Sequence, residues 1–74
     1  MPRLPALHPR KVVAALKQSG FVEASQRGSH LHLFHAGRKR MVTVPMHAKD
    51  VKRGTLQSII RQSGLTVEEF LKLL

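Results

Sequence analysis

The sequence predicts an α+β fold, a single small domain in the order helix, three-stranded antiparallel meander, helix and short helix, with the helices on one sheet face. Three observations predict it. An apolar stripe at helical spacing follows Pro9, short alternating segments separated by turns fill residues 21–44, and a capped helical pattern closes the chain. One domain is expected over 1–74, because a chain this short buries only about 60% of its unfolded surface and cannot divide into two stable cores. Residues 1–8, punctuated by Pro2 and Pro5, read as a flexible lead.

Pro9 is tolerated at a first helical position, and Val12, Val13, Ala15 and Leu16 form the stripe of the first helix, with Arg10, Lys11 and Lys17 outside. Gly20 supplies a left-handed stop, after which Phe21 can fold back on Leu16. A first strand over 21–25 is followed by the polar turn Gln26-Arg27-Gly28. Alternation over 30–36 then sets Leu31, Leu33 and His35 on one face and His30, His32 and Phe34 on the other. Residues 36–40 read as a hairpin turn and 41–44 as a third strand, which Pro45 ends by lacking an N–H. Beyond a basic loop, Gly54-Thr55 opens a second helix with Leu56, Ile59, Ile60 and Ser63 on one face and Gly64 at its stop. Thr66 and Glu69 spell a capping box for a third helix, with Leu65 and Phe70 as its hydrophobic staple.

The chain carries 13 Lys and Arg against 4 Asp and Glu, a formal net charge of +9. The excess lies before Gly64, and it favours a polyanionic partner, nucleic acid above all. The chain contains no cysteine, which excludes disulfide frameworks, thiol catalysis and thiolate zinc sites. No segment approaches the roughly 20 apolar residues of a bilayer span, and the N-terminus has no secretory pattern, so a cytoplasmic location without membrane contact is expected.

Gly28-Ser29-His30 at the head of the second strand is the tripeptide best suited to chemistry. An unperturbed imidazole titrates near pH ~6.5 and exchanges protons at neutrality, which phosphodiester cleavage of RNA requires. Gly28 permits close backbone approach to a ligand, and Ser29 can donate to a phosphate oxygen. Arg27 stands beside them, and His32 and His47 are candidate auxiliary contacts. His35, close to the hairpin, is expected at the surface. Two basic groups, Arg38-Lys39-Arg40 and Lys49, Lys52 and Arg53, flank the candidate site and suit phosphate contacts. His30, His32, His35 and His47 lack a carboxylate or thiolate at metal-ligand spacing, so no metal and no other cofactor is expected. Without Tyr or Trp, and with Phe34 the only well-placed aromatic, RNA recognition is expected to rest mainly on backbone and shape.

Taken in order, Gly20-Phe21, Arg27-Gly28-Ser29-His30, Val42-Thr43-Val44-Pro45 with His47, Gly54-Thr55-Leu56, and the run from Ile59 through Gly64-Leu65-Thr66 resemble the HicA-type mRNA interferase toxins, the YcfA-like family. The resemblance extends from about Pro9 to Phe70. It implies a fold similar to the double-stranded RNA-binding domain and a toxin that cleaves mRNA without a metal. It maps the catalytic histidine of the family's Gly-Ser-His motif onto His30 and implies a HicB-type antitoxin that masks the active surface. Leu31 stands where many relatives carry a second histidine or another polar residue. In the implied mechanism His30 is the general base on a ribose 2′-hydroxyl, with Arg27 or a loop lysine stabilising the developing charge.

Three other functions fit parts of the pattern. The same fold class serves non-catalytic RNA binding. A turn at Gly64 between two helices suits DNA, although Glu68 and Glu69 in the third helix oppose phosphate. A cationic face can also serve only an acidic protein partner.

Overall fold

In the computed structural model, which describes residues 3–47 and 49–74, the elements follow the expected order. They are α1 (Pro9–Gln18), β1 (Val22–Arg27), β2 (His30–His35), β3 (Arg40–Pro45), α2 (Arg53–Ser63) and α3 (Val67–Leu71). The strands form an open antiparallel sheet in the order β1-β2-β3, consistent with a fold like that of the double-stranded RNA-binding domain.

Local chemistry sets the ends of α1. His8 is the N-cap, its Nδ1 accepting from the Arg10 N–H at 3.2 Å, and Pro9 begins the helix where no intrahelical donor is needed. At the other end the Phe21 N–H donates to the Leu16 carbonyl at 3.1 Å and the Gly20 N–H to that of Lys17 at 3.0 Å, the paired bonds of a Schellman motif. Gly20 holds φ at 109°, and a Cβ there would lie 2.6 Å from His35 Nε2. Gly20→Ala is therefore expected to destabilise the domain by at least about 1–2 kcal/mol, the left-handed penalty alone, read as a lowered urea midpoint.

Leu31, Leu33, Val42 and Val44 project from β2 and β3 into the core, where α1 and α2 cover them with Val12, Leu16, Leu56 and Ile59. Gln62 of α2 accepts the Thr43 N–H through Oε1 at 3.1 Å, tying that helix to the β3 edge. All six residues of β1 are exposed, so the helices sit over β2 and β3 and leave β1 projecting. The lead read as flexible touches the core at two points, between exposed Arg3, Pro5 and Ala6. Leu4 and Leu7 are buried, and Leu7 pairs with Val51, because a core with few aromatics gains from every apolar side chain within reach.

The third helix is built as its sequence grammar requires. Thr66 Oγ1 accepts from the Glu69 N–H at 3.0 Å and Glu69 Oε1 from the Thr66 N–H at 2.8 Å, while Leu65 packs on the core and Phe70 is fully buried. The bond from the Thr66 backbone, then that with its side chain, holds the Glu69 carboxyl below its ordinary 4.5. A depressed carboxylate contributes stability above its unfolded value and loses it as pH falls through the lower folded one. Helical circular dichroism should accordingly fall on acidification below about pH 4.5, and Glu69→Gln should remove that part of the transition.

Candidate active site

The turn between β1 and β2 contains only Gly28 and Ser29. Gly28 has φ 56° with open space around its α-carbon, so the backbone angle, not crowding, is what calls for glycine, as at the first central position of a type II′ turn. The first strand accordingly runs to Arg27, two residues past the expected end at 25, and Arg27 pairs directly with His30. Cross-strand partners share a face, so the guanidinium and the imidazole project to the same side. On its other flank His30 pairs with Pro45, and its side chain is exposed.

A bulge sets which β1 residues join this face. The register shifts between Glu23 and Ser25, leaving Ala24 without a partner, so that Val22, Ser25 and Arg27 all lie opposite the even-numbered residues of β2. Were the strand regular, without that bulge, strict alternation would put Val22 on the other side from Arg27. The open face thus carries Arg27, Ser25 and Val22 from β1, His30, His32 and Phe34 from β2, and Pro45, Thr43 and Met41 from β3.

The other expected site residues divide into two groups. The Met46 N–H donates to the Ser29 carbonyl, which holds the end of β3 against the turn and delivers exposed His47 to the His30 end of the sheet. A groove of about 390 Å³ begins there, lined by Pro45, His47, Lys49, Asp50, Lys52 and Thr55. Lys52 is the N-cap of α2, makes no side-chain cap bond, and is followed by Arg53, with no acid in the first turn. Cations at the positive end of a helix are mutually unfavourable with its dipole, and a phosphate placed there relieves both. Asp50 is the one carboxylate in the groove.

Arg38, Lys39 and Arg40 lie elsewhere. Arg40 pairs with His35 at the end of β2 remote from His30, five residues and roughly 17 Å along the strand. Its guanidinium lies against the α2 C-cap, with Nε 3.2 Å from where a Gly64 Cβ would stand, on the helix side of the sheet. The Arg38 charge acts on Glu69 of α3. These basic residues therefore do not flank His30 on the open face.

The remaining histidines have structural ties. His32 is half-buried, its Nδ1 2.9 Å from Thr43 Oγ1. His35, expected at the surface, is docked instead. Its Nε2 lies 3.1 Å from the Ser19 carbonyl, its Nδ1 accepts the Arg38 N–H at 3.0 Å, and its ring meets Phe21 edge-on at 5.2 Å between centroids. The helix-side position that strand alternation assigns it carries it onto the end of α1. Leu31, 4% exposed, also faces the helices, so its side chain is absent from the His30 face. Among the described residues no three His, Asp or Glu side chains gather as a metal-ligand set.

Sequence reasoning missed His8 and Arg10, which line a second groove of about 470 Å³ with Met46 and His47. Pro9 at a first helical position marks the preceding residue as the N-cap, but histidine is not among the side chains that announce one.

No helix among the described residues is long and apolar enough to cross a membrane. No curated protein matches the chain. The family model for the HicA toxin of bacterial toxin-antitoxin systems matches residues 9–65, from the start of α1 through the whole sheet to the end of α2 and its Gly64 cap. That match takes in more than three quarters of the chain and every side chain of the His30 face. The helix, the open sheet and the second helix together thus fall within the matched region, and the chain belongs to the HicA toxin family, whose members are generally ribonucleases paired with an antitoxin.

Proposed function

We propose that this chain is a metal-independent endoribonuclease in which His30 acts as general base, restrained by an antitoxin of the HicB type. The observation that carries the reading is the exposed His30 ring at the end of an uncovered sheet face, directly opposite Arg27 across a two-residue turn. The imidazole takes the proton of a ribose 2′-hydroxyl, and the 2′-oxygen forms a bond to the adjacent phosphorus. The bond from phosphorus to the 5′-oxygen breaks, leaving a 2′,3′-cyclic phosphate on one fragment. The leaving oxygen takes up a proton, with His47 at the same end of the sheet as the candidate donor. Arg27 offsets the charge that develops on the phosphoryl oxygens.

Gly28 and Ser29 bring backbone close to the phosphate, His32 contacts the RNA strand one row inward, and His47, Lys49 and Lys52 hold the next phosphates along the α2 groove, with Arg53 beyond it at the first position of the helix. Arg38, Lys39 and Arg40 reach only RNA that extends past the far end of the sheet. The antitoxin, by covering the His30 face, keeps RNA out. The test is expression of the wild type and of His30→Ala side by side while growth and transcript integrity are followed. Growth arrest and transcript loss with the wild type alone support the reading; equal effects from both forms remove His30 from the chemistry.

A further inference from the structure

The open face changes character along β2. The pairing register sets three rows across it: Arg27, His30 and Pro45, then Ser25, His32 and Thr43, then Val22, Phe34 and Met41. The last row is apolar and uncovered, with Val22 61% and Met41 56% exposed on either side of half-buried Phe34. Of the three large apolar residues most exposed in the described chain, two lie in this row. None of the nine residues is a carboxylate, and the row is continuous with the face that presents His30 and Arg27.

We propose that Phe34, flanked by Val22 and Met41, is a stacking platform for an unpaired RNA base two nucleotides from the phosphate held at His30, an inference that rests on the ribonuclease reading above. Side chains two apart on a strand stand about 7 Å apart, close to the separation of consecutive phosphates in an extended single strand. From His30 to Phe34 is twice that, or two nucleotides. A face that begins with a cation and a proton acceptor and ends in an aromatic ring matches a polyanion that also carries flat apolar groups. Nucleic acid in a duplex hides those groups in its stack, so the occupant is a strand with its bases free. Stacking on a ring tolerates any base, which makes Phe34 a determinant of strandedness rather than of sequence. Recognition then includes an apolar contact in addition to backbone and shape.

The test uses the full chain and a short fluorescent RNA with 2′-O-methyl ribose throughout, which has no free 2′-hydroxyl nucleophile and so cannot be cut. Phe34→Leu is expected to weaken binding about tenfold, Phe34→Tyr to bind as the wild type does, and Met41→Gln, at an exposed position that leaves the fold intact, to lose a few-fold. Replacing single bases of the probe by abasic sites, one position at a time, should reveal one position that matters to the wild type and no longer matters to Phe34→Leu. Unchanged binding by Phe34→Leu and Met41→Gln overturns the platform and leaves the row to a protein partner, as does an abasic effect undiminished in Phe34→Leu. Cleavage of unmodified RNA is read separately: a wild type that binds but never cuts sinks the ribonuclease reading while the stacking result stands on its own. No binding of the probe by the wild type overturns both.

Discussion

His30→Ala should slow RNA cleavage by about 10²- to 10⁴-fold, the usual contribution of a positioned proton-transfer group, while RNA affinity stays close to that of the wild type. In the proposed reading the two effects separate because the phosphates are held by Arg27 and the cationic groove at α2, which the substitution does not touch. The exposed ring supports no part of the core, so the thermal midpoint should hardly move, and loss of activity cannot be ascribed to unfolding. Purified protein in EDTA, incubated with RNA and with the same sequence as DNA, gives the direct reading. The wild type should cut only RNA, since DNA lacks the internal nucleophile. Cleavage at the wild-type rate by His30→Ala would falsify the assignment.

Phe70→Ala should cost about 3–5 kcal/mol, which is most or all of the stability available to a domain of this length. Phe70 is fully buried and is the only buried residue of α3. At five residues α3 has no stability of its own and stays helical because its capping box starts it and Phe70 fixes it to the core. Chemical unfolding followed by circular dichroism should show a strongly lowered midpoint, with Phe70→Leu retaining much of what Phe70→Ala loses. An unchanged midpoint for Phe70→Ala would mean that the C-terminal helix lies outside the cooperative unit.

These two residues mark how differently fold and site could be read. Phe70 was legible because its signals are neighbours: Thr66 and Glu69 are three apart, Leu65 and Phe70 five apart, and each pair is a complete local instruction. The Gly20-Phe21 stop of α1 is of the same kind. His30 was legible as a residue type in a suggestive tripeptide, yet its surroundings were not. Its pairing with Arg27 depends on a turn of two residues rather than three, and the sharing of a face by Val22 and Arg27 depends on the unpaired Ala24. The basic run at residues 38–40 reads in sequence as a flank of the candidate site, and the extended β2 carries it to the opposite end of the sheet. His35 shows the same limit, since its partners Ser19 and Phe21 come from a different element.

Element order, the glycine stops of α1 and α2, the capping box of α3, the apolar faces and the cationic balance are all written locally in the chain, because each depends on residues within about one helical turn or on composition alone. Long-range pairing sets which charged and aromatic side chains share the His30 face, which basic residues turn to the helices, and that Leu4 and Leu7 of the lead join the core. The physical reason is register: one extra residue in a strand exchanges its two faces, and no local pattern of charge or hydrophobicity records where that residue falls.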